Sequence, residues 1–425
     1  MPENEISLWE KLNTESKQQF NDTVSGMVDV AIIGGGFTGL STALHCSLAG
    51  LACHVIEAKH IGYGGSGRNV GLVNAGVWLS PKLVVKSLGD KYGNRFVERF
   101  SQAPNYVFNL IEKYQIKCDT TRTGTIHAAH SPSGFRNLKL LKFEWDKLAQ
   151  PVDLLTSEQT SELTGTNIFY GALLDHRAGT INPMDYCIGL ANAAKDAGSK
   201  ISTKVRATDL KRVSRMWNVQ TSEGHLKARF VVICTNAYTD ELWPNLQKTF
   251  SSIDYFQFAT QPLGDQIKNI LPQRHGLWDT GRIMFSLRRD SADRLVLGSM
   301  GSVIGDKNKG LSKRWATKKL NKLFPELGNV SFENAWHGRI ALTQNHLPQI
   351  HKLGKNLYTP IGYNGRGITT GTIMGQALAD LFATGTEKRL PVPISKEKTF
   401  LFSHLISSFY RLVFAANQLI RSIWT

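Results

Sequence analysis

Residues 28–57 read VDVAIIGGGFTGLSTALHCSLAGLACHVIE, and this stretch decides the fold. Val28 to Ile33 is an apolar, β-branched run of the kind buried on both faces in a parallel sheet. It leads directly into Gly34, Gly36 and Gly39, spaced as GxGxxG, with Phe37 and Thr38 between the last two. A helical pattern through Leu40, Ala43, Leu44 and Leu48 comes next and closes at Gly50; a second strand, Ala52 to Ile56, ends in Glu57 and Ala58. In such a unit one glycine makes the tight turn, the next lets backbone approach a pyrophosphate, and the third lets helix and strand pack closely. The helix N-terminus offers N–H groups and partial positive charge to phosphate, and the acid accepts hydrogen bonds from ribose hydroxyls. A dinucleotide is therefore expected on Gly34, Gly36, Phe37, Thr38, Gly39, Glu57 and Ala58.

The rest of the chain sets limits on that reading. Its 425 residues are enough for two or three folding units, and 41% hydrophobic residues excludes collagen-like, coiled-coil and mostly disordered classes. A formal charge of +16 attracts polyanions: nucleic acid, an anionic membrane surface or acidic small molecules. No nucleic-acid motif or aromatic-basic repeat accompanies the charge, so no nucleic-acid partner is expected. Cys46, Cys53, Cys118, Cys187 and Cys234 are scattered without a CxxC, which indicates neither a disulfide framework nor a metal site, and no metal is expected. Reduced thiols, an acidic polar N-terminus and the lack of a long apolar run place the protein in the cytoplasm, with peripheral membrane contact left open.

Gly62 to Gly67 formally repeats GxGxxG, but no new strand precedes it, so it reads as a loop against the same cofactor and a single dinucleotide is expected. The choice between NAD and FAD turns on the residues after Glu57. Here a glycine-rich loop carrying Arg68 and Asn69 intervenes instead of a further βα unit. With GGSGRNVGLVNAG (64–76), RAGTINPM (177–184) and GYNGRGITTGT (362–372), the chain resembles the FAD-dependent amine and amino-acid oxidases of the D-amino-acid oxidase/glycine oxidase superfamily. Within it the chain is most similar to the γ-glutamylputrescine oxidase-like branch, and the three strings resemble bacterial L-pipecolate oxidase/dehydrogenase. The resemblance runs from about residue 8 to the end.

The resemblance implies a Rossmann-like, discontinuous FAD-binding domain of mixed α/β class (residues 1–84, 152–245 and 331–392). A substrate domain on an antiparallel sheet (85–151 and 246–330) and a tail (393–425) complete the expected organisation. It implies that Ser66 and Gly67 meet the FAD phosphates and that Arg68 and Asn69 lie near the isoalloxazine. Backbone at Val205 would line the adenine, and Thr235 would end the strand that closes the nucleotide sheet. Gly338, Gly362, Asn364, Gly365, Arg366, Gly367 and Ile368 fall in the C-terminal flavin-binding stretch. A helix beginning near Thr369, after the glycine-rich stretch, could stabilise negative charge on the reduced ring. No cysteine follows Cys234, so FAD is expected to be non-covalent.

Amine oxidation at flavin needs a neutral amine held with its C–H bond toward the ring, and a carboxylate-bearing substrate calls for a guanidinium or a Tyr hydroxyl. Arg68, Tyr255, Arg288, His337 and Tyr363 are the catalytic candidates, with Arg282, Arg339 and Arg366 behind them. The favoured substrate is L-pipecolate; γ-glutamylputrescine, glycine, sarcosine and proline are the alternatives. The electron acceptor is oxygen or a membrane quinone. Finally, Phe402, Leu405, Ile406, Phe409, Leu412, Val413, Ala416, Leu419, Ile420 and Ile423 recur at helical spacing up to Trp424, an amphipathic helix suited to a groove or to the cytoplasmic face of the inner membrane.

Overall fold

A computed structural model describes residues 6–13, 20–400 and 402–423. The apolar terminus at Trp424 lies outside the described residues. The first strand, Met27–Ile33, sits mid-sheet between Cys53–Glu57 and His225–Ile233, parallel to both. Lys200–Thr203 extends this sheet on one side and Leu357–Ile361, Gln349–Gly354 and Ile394–Ser395 on the other. The period-2 alternation of side chains divides the strand between two cores. Val30 and Ile32 pack with Leu40, Ala43, Leu44, Met374 and Leu378 of two covering helices, Phe37–Leu48 and Gly367–Thr384. Ala31 and Ile33 pack on the opposite face with Trp217, Val219 and Leu226, from Met216–Thr221 and the start of His225–Ile233.

The second sheet has eight strands, in the order Phe332–Leu342, Ser251–Thr260, Leu295–Met300, Phe285–Arg289, Gly276–Asp279, Thr125–Ala128, Ala172–Asp175 and Val152–Leu155. All pairs are antiparallel except Gly276–Asp279 with Thr125–Ala128. Three of these strands, 152–155, 172–175 and 332–342, come from segments the sequence assigned to the FAD-binding domain. Backbone pairing with neighbours remote in sequence carries them into the second sheet. Phe256, Phe258 and Leu297 face outward under the helix Leu311–Leu323, on Trp315, Ala316 and Leu320, which leaves Tyr255 and Gln257 on the inner face.

Arg288 ties the second sheet to the glycine-rich loop, and this corrects its expected place among catalytic residues. Its side chain is fully buried. The guanidinium donates to the carbonyls of Ile181 and Val70 (3.4 Å for the latter), pairs with Asp119 at 3.2 Å and lies over the Trp9 ring. A buried cation with this partner set is a structural tie. Arg288→Met should lower unfolding free energy by about 3 kcal/mol, read by urea denaturation, because the Asp119 carboxylate and both carbonyls lose their donor. The KM of folded enzyme should stay within about twofold; a KM rise without loss of stability would return Arg288 to the site.

His54, on Cys53–Glu57, is fully buried, with Nε2 hydrogen-bonded to Ser202 Oγ at 2.7 Å and Nδ1 lacking a partner among the described residues. Burial pulls its pKa down to about 4. The unfolded chain takes up this proton near the ordinary value of about 6.5, whereas the folded chain refuses it until about 4. Stability from this group is therefore full above pH ~6.5 and falls on acidification by about 1.4 kcal/mol per unit until the folded pKa is reached. Between pH ~7 and ~5, His54→Asn should lose about 2 kcal/mol less than the parent in parallel urea titrations. Equal losses in the two proteins would exclude the mechanism.

Candidate active site

The glycine turn, the Gly62–Gly67 loop, the C-terminal glycine stretch and the inner face of the second sheet enclose a cavity of about 1080 Å³. That volume exceeds what a drug-sized ligand occupies and suits a dinucleotide with a small molecule beside it. At one end the Phe37–Leu48 helix begins without a side-chain cap, and Gly34, Gly36, Phe37 and Thr38 line the wall. At Gly36 a Cβ would sit 2.7 Å from Ser66 Oγ and displace the hydroxyl that accepts the Phe37 N–H at 3.1 Å. Gly39 lies behind the wall, where a Cβ would meet the Gly34 carbonyl oxygen at 1.9 Å, so its role is the close packing of helix on strand. Glu57 lines the cavity while accepting from the N–H groups of Gly35 and Lys59, both at 2.7 Å; burial nonetheless raises its pKa. A side-chain-free backbone cradle, an open helix N-terminus and an acid at the end of the second strand together fit the phosphates and ribose of FAD.

The loop between 62 and 71 is held by its own polar groups. Asn69 donates to the carbonyls of Gly65 and Ser66 and accepts from the Gly71 N–H, which fixes Ser66 and Arg68 in place. Arg68 is buried, donates to the Tyr63 carbonyl at 2.8 Å and stacks on the Tyr63 ring, and its own carbonyl accepts from Trp336 Nε1. Ala58, Ser66, Arg68, Asn69, Thr235 and Gly338 all reach the cavity wall. Gly67 does not; its N–H is spent on the Gly62 carbonyl, and it serves the loop's turn. Val205 is likewise behind the wall, its N–H bonded to the Glu57 carbonyl, and the neighbouring Arg206 and Ala207 line the cavity instead.

From the C-terminal stretch, Tyr363, Asn364, Gly365, Arg366, Gly367 and Ile368 line the cavity. Gly362 sits one residue too early and is anchored through its N–H to Asn236 Oδ1. The Tyr363 hydroxyl is 2.7 Å from Thr38 Oγ1, which joins the C-terminal glycine stretch to the Phe37–Leu48 helix at the cavity floor, and burial raises its pKa. Tyr255 lines the roof with its hydroxyl 3.1 Å from both Ser286 Oγ and the Gly298 carbonyl, and it too is held neutral by burial. His337 does not line the cavity: it lies in the strand register opposite Phe256, while the next residue, Gly338, reaches the wall. Arg282 and Arg339 are at the wall.

The sequence missed the aromatic residues around Arg366. Trp78 and Trp278 place their rings 4.3 and 4.4 Å from the guanidinium, and His127 stacks on Trp278 at 3.6 Å. Arg366 is buried, and its guanidinium makes no hydrogen bond or ion pair among the described residues. Burial pulls its pKa down to about 10, which leaves it charged at neutral pH. Burial, and then the Arg366 charge, pull His127 down to about 3, so it is neutral there. No local signal marks these residues, because the box is assembled from positions about 50 to 290 residues apart. FAD, when bound, accepts the two electrons of an oxidation. The protein contributes two helix N-termini, a roofed cavity that limits water and a buried cation over two aromatic rings that has no ion-pair partner among the described residues.

Comparison with known proteins agrees with this geometry. Residues 29–381 match the FAD dependent oxidoreductase (DAO) family. The chain is 29% identical over 363 residues to gamma-glutamylputrescine oxidoreductase of Escherichia coli K12, covering 85% of this chain and 84% of that protein. Among solved structures, glycine oxidase from Geobacillus kaustophilus superimposes with a TM-score of 0.69 at 19% identity, covering 85% of this chain and 95% of the other. L-proline dehydrogenase from P. horikoshii gives 0.71 at 19% identity, covering 87% and 96%. The GxGxxG cradle, the cavity and these matches lead to one conclusion: the chain belongs to the DAO family of FAD-dependent oxidoreductases and is an oxidoreductase of the amine and amino-acid oxidase type.

Proposed function

We propose that the protein oxidises the C–N bond of a small amine that carries a carboxylate, and that Arg366 holds the carboxylate. The observation that carries this reading is the buried guanidinium at the cavity wall, over the edge-to-face Trp78 and Trp278 rings, with no ion-pair partner among the described residues. A buried cation is costly unless paired, and a carboxylate is the partner its planar fork suits best. Tyr255 and Tyr363, neutral and fixed, then position the amine. The amine enters uncharged; its α-carbon gives up a hydride and its nitrogen a proton, and water hydrolyses the resulting imine. FAD is held without a cysteinyl bond, since Cys234, the one cysteine at the cavity wall among the described residues, is buried with its pKa raised. The flavin-holding unit is built on the parallel sheet and the substrate unit on the antiparallel one. Similarity to gamma-glutamylputrescine oxidoreductase supports γ-glutamylputrescine as substrate better than L-pipecolate, which remains a comparison compound. Electrons pass on to oxygen or to a membrane quinone.

The test is anaerobic addition of γ-glutamylputrescine, L-pipecolate, L-proline, sarcosine and putrescine to the yellow holoprotein. Bleaching of the visible flavin band, combined with steady-state rates, ranks them. Arg366→Met should raise KM for the carboxylate-bearing substrate about 10–100-fold, the cost of one charge-assisted pair, with FAD affinity unchanged. An unchanged KM with loss of FAD would instead assign Arg366 to the cofactor.

A further inference from the structure

The terminal helix Ser403–Ile423 is docked in an inverted manner. Three of its polar side chains, Ser403, Ser407 and Gln418, point into the protein: Ser407 accepts the Ser252 N–H at 2.9 Å, and Gln418, nearly fully buried, bridges Ser312 Oγ at 2.7 Å and the Ser302 carbonyl at 3.1 Å. Its apolar stripe points out. Phe402, Leu405, Phe409, Leu412 and Ile420 are each more than half exposed, on one face at helical spacing. Such a contiguous stripe is unusual on a free surface and marks a binding face.

Charge around the stripe selects its occupant. The terminal helix contains no Asp or Glu and exposes Arg411. The helix packed beside it, Leu311–Leu323, is also free of acids, and Lys313, Arg314 and Lys322 on it make no ion pair among the described residues. In a symmetric contact between two copies this basic surface would face itself, at an electrostatic cost. An anionic lipid surface satisfies both features, since hydrocarbon takes the stripe and headgroup phosphates take the lysines and arginines. No helix among the described residues is long and apolar enough to cross a membrane, which leaves the helix in the plane of the interface.

We infer that the protein docks on an anionic lipid bilayer through the outward face of the Ser403–Ile423 helix, flanked by the basic Leu311–Leu323 helix. Phe409, Tyr410, Val413 and Phe414 of the same helix also line the cavity, so docking sets one rim of the active site against lipid. The inference is independent of which amine is oxidised.

The experiment is flotation of full-length holoprotein with phosphatidylcholine vesicles, with and without a minority of phosphatidylglycerol. Binding should require the anionic lipid and decline as salt is raised. Leu405→Gln with Leu412→Gln should reduce the bound fraction by about tenfold, as should Lys313→Glu with Arg314→Glu, while both proteins keep amine oxidation with a soluble dye acceptor. Failure of the parent protein to float with either vesicle overturns the inference. So does a parent dimer in analytical ultracentrifugation that Leu405→Gln with Leu412→Gln dissociates without any change in flotation. Absence of turnover with every amine would count against the proposed substrate and leave the flotation result untouched.

Discussion

The structure depends on the contact between the helix that follows the first glycine turn and the helix that follows the C-terminal glycine stretch. Phe37–Leu48 and Gly367–Thr384 are separated by most of the chain, yet Ser41 Oγ donates to the Thr372 carbonyl at 2.7 Å and Thr38 meets Tyr363 at the same distance. Both N-termini consequently open on one cavity, where Phe37, Thr38, Gly367 and Ile368 share the wall. Two helix dipoles then favour negative charge in the same volume, where the residues at the two N-termini would hold the negatively charged parts of FAD. The antiparallel sheet can only be a roof because this floor is already in place.

Two buried arginines show how partners, not burial, separate structure from chemistry. Arg288 and Arg366 are both withdrawn from solvent, and both lie against tryptophan rings. Arg288 has a carboxylate and two carbonyls on its terminal nitrogens, so its charge is paired within the protein even though its Nε has no partner among the described residues. Arg366 touches aromatic rings and makes no hydrogen bond or ion pair among the described residues, so the rings offset part of its desolvation but leave its N–H groups unspent. A cation in that state retains affinity for an anion, and it borders the space where one can enter.

The terminal helix raises the same issue at the surface. A 3.6-residue apolar period usually reports a face turned toward the core. Here hydrogen bonds from Ser407 and Gln418 hold the polar side inward, and among its described large apolar side chains Phe414 alone is buried. Periodicity specifies that two faces differ; which one meets the protein depends on the surface it finds.

The strand–glycine turn–helix–strand–acid order was legible in residues 28–57 because its determinants are local: a tight turn, a helix start and an alternating strand each depend on near neighbours. The glycine loop at 62–67 and the stretch at 362–368 were legible for the same reason, and most of their residues do line the cavity. The misplacements involve register and backbone hydrogen bonding. His337 and Gly338 are adjacent in a strand and differ in which reaches the wall, and Val205 spends its N–H on Glu57. The Trp78–Arg366–Trp278 box, the neutralisation of Arg288 and the outward face of the terminal helix were decided only by tertiary structure. Each depends on groups far apart in the chain whose meeting no local spacing encodes.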